Sequence, residues 1–345
     1  LSLKQMLFDG FDTRYSAQRQ QARVDAAAHR VQETSDTVAL RTVEVFLDVF
    51  RRQSLVELAK DNLVVHQKIL EQIQALFDKG AGRKADVKQA ESREALAVAN
   101  LLQAQGQLRD TETNYQRVTG TPPQNLETAQ HQAVEQALPA NEKSALEQAV
   151  LRHPSVQAAQ SELQAAQAAY EQARSYAMPK LDLELSASRN NNLDGVESKN
   201  NDVSALLRMR YNLYRGGADR ARRMESAERV SAAKATLQRA QRTVEEDLRL
   251  NWNAFHTIQE RLGYLEKHVA ASQEVVNAYE QQFKLGQRSL LDVLDAKNEL
   301  YNAKSALISA HYGKTISLYR LLANTGQLLS VLGVEALPEA ATTQP

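Results

Sequence analysis

The chain has 345 residues and balanced charge, 42 Lys+Arg against 42 Asp+Glu, whereas a nucleic-acid binder shows a basic excess. It has no cysteine, which excludes disulfides, zinc–cysteine sites and thiol catalysis. Only 13 Gly and 7 Pro interrupt a sequence rich in Ala, Gln, Glu, Leu and Arg, a long-helix composition with no run of the roughly 18 apolar residues that a transmembrane helix needs. A β-barrel strand, of about 9–11 alternating residues, escapes that test.

The elements fall into two copies of one unit. Gly80 matches Gly286, Asp86-Val87 matches Asp292-Val293, Ala90 matches Ala296 and Gly120 matches Gly326, each at one offset (292 − 86 = 206). The same offset pairs Leu7-Phe8-Asp9-Gly10 with Leu213-Tyr214-Arg215-Gly216. In chain order, residues 1–9 are a strand end with Leu1, Leu3 and Leu7 apolar, and a glycine turn follows. A helix free of Pro and Gly is predicted from about Thr13 to Phe77, roughly 100 Å of rod at 1.5 Å per residue. Its apolar residues, among them Val38, Phe46, Val49, Ile69, Ile73 and Leu76, recur at three-to-four spacing, as in a coiled coil. Gly80 to Lys84 break the helix, and a partner runs from about Ala85 to Val118. Thr121-Pro122-Pro123 then opens a polar join with short helical pieces. A helix begins near His153-Pro154, with proline where its missing N–H costs nothing, and stops at Met178-Pro179.

The period then changes to two. Leu181, Leu183, Leu185 and Ala187 alternate with Asp182, Glu184, Ser186 and Ser188. A polar loop is expected from Arg189 to Asn201. In the returning strand Val203, Ala205, Leu207, Met209, Tyr211 and Leu213 oppose Ser204, Arg208, Arg210 and Asn212. One face suits lipid and the other a wet lumen, although an amphipathic hairpin on a soluble core has the same pattern. The second copy continues with helices at about Asp219–Leu285, containing Gly263, and Ser289–Ala323. The division expected is a first repeat at 1–120, an equatorial linker at 121–152, a second repeat at 153–326 with its hairpin at 180–214, and a tail at 327–345. Such rods do not fit a globular domain, so an elongated molecule is expected.

Several stretches together resemble the TolC-type outer membrane efflux protein family: the corner Leu213-Tyr214-Arg215-Gly216-Gly217, the helix start Ala149 to Pro154, and Arg174 to Leu181. The most specific is Phe283 to Ala296, FKLGQRSLLDVLDA, with its weaker twin Phe77 to Ala90. The flavour is nearest the branch that serves type I secretion of large adhesins. The resemblance implies a mainly α fold with a small β part: long antiparallel helices forming a periplasmic tunnel, and strands pooled into one barrel shared by a homotrimer in the outer membrane of a Gram-negative bacterium. It implies a periplasmic adaptor (membrane fusion) protein and an inner-membrane pump or ABC transporter as partners, outer-membrane lipid around the barrel, and no nucleic acid. Family subunits begin with further helices and a first strand that are not found here, so the chain by itself is expected not to close a barrel.

By the same resemblance, Asp86 and Arg288 fall where the hairpins of the two repeats are linked across a narrowed tunnel. Asp292 and Asp295 fall on acidic rings in the lumen. Phe283 stands where many members have Tyr, which removes a hydroxyl contact from the tip constriction. Residue chemistry offers a plainer role. Ser289-x-x-Asp292 is a capping-box-like start, Asp86 holds the equivalent position, and Arg288 with Asp292 is an ordinary i,i+4 pair. Capping and gating both stay open for Asp86 and Asp292, whereas Asp295, deeper in its helix, has no capping role.

No catalytic constellation is present. His29, His66, His131, His153, His256, His268 and His311 are scattered, with no HExxH pair or nucleophile alongside. Gly80-Ala81-Gly82-Arg83-Lys84 lacks Walker spacing and reads as a turn. The chain is therefore expected to be no enzyme, with no metal and no cofactor. A passive export duct is the leading reading, and a soluble coiled-coil periplasmic adaptor or scaffold is the alternative.

Overall fold

The computed structural model describes every residue except 125, 128–131, 192–194, 196, 198, 336 and 343–345, and the side chains of 132 and 133. His131 and the centre of the expected 189–201 loop lie outside the described residues. The elements are β1 (Ser2–Phe8), α1 (Asp12–Asp78), α2 (Lys84–Thr119), α3 (Gln132–Gln136), α4 (Glu142–Arg152), α5 (Pro154–Ser175), β2 (Lys180–Asn191), β3 (Lys199–Arg210), α6 (Ala218–Lys284), α7 (Leu290–Asn324) and α8 (Leu328–Leu332), then a short 3-10 turn at Pro338–Ala340. α1 and α6 contain 67 residues each, and both their first and last residues differ by the sequence offset (218 − 12 and 284 − 78, each 206). The repeat in the sequence is thus a repeat of structure.

Two compact units emerge. The first comprises residues 1–34, 150–245 and 336–345, and the second residues 35–149 and 246–335. In the first unit β1, β2 and β3 form one antiparallel sheet in that order. The register puts Leu181 opposite Met209, Leu183 opposite Leu207, Leu185 opposite Ala205 and Ala187 opposite Val203, with Leu3 of β1 beside Leu185. Directly opposed residues share a face, so these side chains form one apolar surface. It is bare in the chain: Leu207 is 64 % exposed and Val203 84 %.

The other face is ionic. Lys4 reaches Glu184 at 3.1 Å and Asp182 at 3.8 Å, Arg208 pairs with Glu184 at 3.0 Å, and Arg210 pairs with Asp182 at 2.6 Å. The strands differ from expectation at both ends. Arg189, Asn190 and Asn191, expected in the loop, pair with Asn201, Asn200 and Lys199, because the backbone ladder continues where the hydropathy alternation stops. β3 ends at Arg210, opposite Lys180, and Tyr211 to Leu213 lie beyond it. The next residue on the facing side is Pro179, which has no N–H to donate.

α5 lies along the start of α1 in this unit. Arg30 pairs with Glu162 at 2.8 Å and Gln172 donates to Asp12 at 2.7 Å. Ala22 and Ala26 of α1 and Ala158 and Ala165 of α5 are buried, and such small residues let helices approach closely. Pro154 stands at the first position of α5, and the His153 ring accepts from the Ser155 N–H. Gly10 makes the strand-to-helix corner at φ +73°, where a Cβ would sit 2.8 Å from the Ser175 carbonyl oxygen and from Met178 Cβ.

In the second unit, Leu47 of α1, Val134 of α3, Leu318, Tyr319 and Leu322 of α7 and Leu328 of α8 form a buried core. Arg320 pairs with Glu44 at 2.7 Å beside it. Of the apolar residues expected along α1, Val49 and Ile73 are buried but Val38 and Leu76 are exposed. A single chain covers only part of the apolar stripe.

Candidate functional site

The expected site residues gather in the second unit, around the turns α1–α2 and α6–α7. The two turns are built alike. After α1 the Gly80 N–H bonds to the Phe77 carbonyl and the Ala81 N–H to Leu76; after α6 the Gly286 N–H bonds to Phe283 and the Gln287 N–H to Gln282. Both are Schellman closures with glycine at positive φ, +75° and +70°. A small core joins the helices that leave them. Ile73 of α1, Val87 and Ala90 of α2, and Leu290 and Leu294 of α7 are buried together, and Phe283 packs against them. Phe283 therefore serves the core, as its lack of a hydroxyl allows.

The two first turns differ chemically. At α7 the Ser289 hydroxyl accepts from the Asp292 N–H at 3.2 Å and donates to the Asp292 carboxylate at 2.8 Å. Ser289 therefore caps the helix through the Asp292 N–H, while the Asp292 carboxylate holds the capping hydroxyl and not the Ser289 N–H that a full capping box would use. The equivalent N-cap of α2 is Arg83, which has no capping side chain. Asp86 is half-buried in the first turn of α2, and its carboxylate has no polar side-chain partner among the described residues. Asp292 thus takes part in the cap of its helix, whereas Asp86 makes no equivalent contact.

Arg288 lies over the Tyr279 ring at 3.9 Å, donates to Gln282 at 3.0 Å and stands 3.8 Å from Asp292. These partners all belong to the α6–α7 hairpin, and the structure brings Arg288 and Asp86 into no contact. Asp295 is exposed on α7 and forms an ion pair with Arg93 of α2. Two residues on, Lys297 is tied to Glu280 of α6 at 2.5 Å. Beneath these cations His66 of α1 is 4 % exposed. Burial foremost, then Lys297 and Arg93, holds its imidazole below the usual histidine range and hence neutral.

Sequence reasoning missed Arg93, Tyr279, Gln282 and His66. Gln282 and Tyr279 lie six and nine residues before Arg288, across a turn, and Arg93 is 202 residues from Asp295. No local spacing signals such pairs. Among the described residues no group of three or more His, Asp or Glu side chains is placed to hold a metal ion, and no helix is long and apolar enough to cross a membrane.

Residues 1–121 and 145–327 match the profile described as outer membrane efflux protein. The chain belongs to that family. The outer membrane efflux protein BepC of Brucella suis is 26 % identical over 329 residues, 95 % of this chain and 72 % of the relative. The outer membrane protein TolC of Vibrio cholerae is 25 % identical over 302 residues, 86 % of this chain and 69 % of the relative. Among solved structures, the outer membrane protein VceC from Vibrio cholerae superposes with a TM-score of 0.78 over 97 % of this chain and 79 % of that one. At 18 % identity this is a likeness of fold. The mainly helical chain with its small antiparallel sheet is thus the efflux-protein fold, as the sequence resemblance implied. In this family member the turn carries a capped Asp292, an uncapped Asp86 and an Asp295 bridged to Arg93.

Proposed function

We propose that the chain is a subunit of a passive export duct in the outer membrane, serving a tripartite efflux or type I secretion system. The observation that carries this reading is the sheet of an outer membrane efflux family member. One face is apolar and bare, and the other is lined by the ion pairs of Lys4, Asp182, Glu184, Arg208 and Arg210. Lipid outside and a wet lumen inside satisfy both faces, as in a transmembrane barrel. A soluble adaptor or scaffold leaves the apolar face unexplained.

In this reading three copies pool their strands into one barrel and their helices into a periplasmic tunnel. An adaptor and an inner-membrane pump or ABC transporter meet the α1–α2 and α6–α7 turns. The repeat division at 1–120, 121–152, 153–326 and 327–345 belongs to the same proposal, supported by the common offset of the long helices. A transport role rather than an enzymatic one rests on family membership.

Asp86, Arg288 and Phe283 would form the constriction, and Asp292 and Asp295 the acidic lining. The unpartnered Asp86 carboxylate supports the first assignment; for the second, Asp295 is exposed, with its charge offset by Arg93. The test is conductance of the full-length protein in planar bilayers, together with its mass in detergent. Discrete channels from a trimer are expected, with Arg288→Ala raising the resting conductance. A well-behaved monomer in plain buffer would refute the duct. A stability change with unaltered conductance would reduce Arg288 to a structural residue.

A further inference from the structure

We propose that Arg93 latches the two hairpins of one chain together at their turns and neutralises Asp295 there, an assignment that rests on the export-duct reading above. The shared core dictates the contact. Ala90 and Leu294 are buried together, Arg93 follows Ala90 by one helical turn, and Asp295 follows Leu294 directly. The Arg93 guanidinium bonds the Asp295 carboxylate, and among the described residues this is the polar side-chain contact that joins α2 to α7. Phe283, lying in the core, offers no hydroxyl to supplement it.

The bridge is not a by-product of the repeat. Moving each partner by 206 gives Glu299 for Arg93 and Gln89 for Asp295, and an acid with an amide forms no ion pair. Glu299 is engaged by His268 instead, at 3.2 Å. Nor do nearby cations duplicate it. Lys297 is occupied by Glu280, and Arg288 lies over Tyr279. Because the Asp295 side chain is 56 % exposed, the bridge adds little to overall stability. Its effect is local: it holds α2 against α7, and it cancels a charge that would otherwise favour cations in a narrow bore. Asp86, without a partner, then carries the free carboxylate at the turns.

The test is a charge-reversal cycle, Arg93→Asp, Asp295→Arg and the double variant, in the full-length protein. Two readouts are taken: resting conductance in planar bilayers, and amide exchange of residues 84–93 and 290–300 in detergent. Each single reversal is expected to raise conductance and to speed exchange by roughly two- to fivefold, the range for an exposed ion pair. The double variant should restore both. Arg93→Gln, which frees Asp295, should raise the preference for cations over anions, and Arg93→Gln with Asp295→Asn should abolish that rise. A double reversal that fails to restore exchange, in a protein whose wild type conducts, overturns the latch and leaves the duct standing. A closed exchange cycle in a protein that never conducts supports the latch and sinks the duct. Unchanged ion preference in Arg93→Gln overturns the neutralisation of Asp295.

Discussion

Replacing Asp36 by Asn should remove a pH-dependent weakness from the second unit. Asp36 lies on α1 at 8 % exposure, and its Oδ2 has no hydrogen-bond partner. Burial raises its carboxyl pKa from 3.8 to about 6, because leaving water penalises the charged form. The folded chain therefore holds the proton more tightly than the unfolded chain. This contribution to stability is fully present below the unfolded value and is lost as pH rises through the folded one. The difference between 3.8 and about 6, at about 1.4 kcal/mol per pH unit, converts to roughly 3 kcal/mol lost between pH 4 and pH 8. Asn has the shape of the protonated acid and does not ionise. The variant should match wild type near pH 4 and exceed it by up to roughly 3 kcal/mol near pH 8. Guanidinium unfolding followed by the single tryptophan, Trp252, measures this, with wild type and variant compared at each pH. A difference independent of pH, or one that shrinks as pH rises, would refute the reasoning.

On the apolar face of the sheet, Leu207→Arg should cost about 2–4 kcal/mol if the face meets the bilayer midplane, while Ser204→Arg on the ionic face is tolerated. Yield of heat-modifiable trimers in the outer membrane reads both, and equal yields would argue against lipid contact. Ser289→Ala should lose the cap on α7, about 1 kcal/mol, seen as faster exchange of the Asp292 amide, whereas Arg83→Ala at the uncapped twin should change little. Gly10→Ala should destabilise the strand-to-helix corner by more than the roughly 1–2 kcal/mol of its left-handed backbone, since the added Cβ also meets Ser175 and Met178. Gly80→Ala has nothing within 4 Å and should cost only the backbone term; equal losses in thermal midpoint would contradict this distinction.

The elements were largely legible in the sequence because they depend on local rules. Absence of Pro and Gly extends a helix, glycine closes it in the left-handed region, and alternation marks a strand. Repetition at one offset then doubled every signal: Gly80 and Gly286 close α1 and α6 with the same pair of hydrogen bonds. Ser289 with Asp292 was readable as a cap for the same reason, since both partners lie within one turn. The tertiary structure alone decided which charges meet. Asp295 finds Arg93 across the seam between hairpins, Arg288 finds the Tyr279 ring, and Asp36 and His66 are buried while the apolar Val38 remains exposed. Helical periodicity orders residues around one axis. The stagger and rotation of one helix against another set the contacts between axes, and packing residues such as Ala90 and Leu294 fix those two quantities only once they meet.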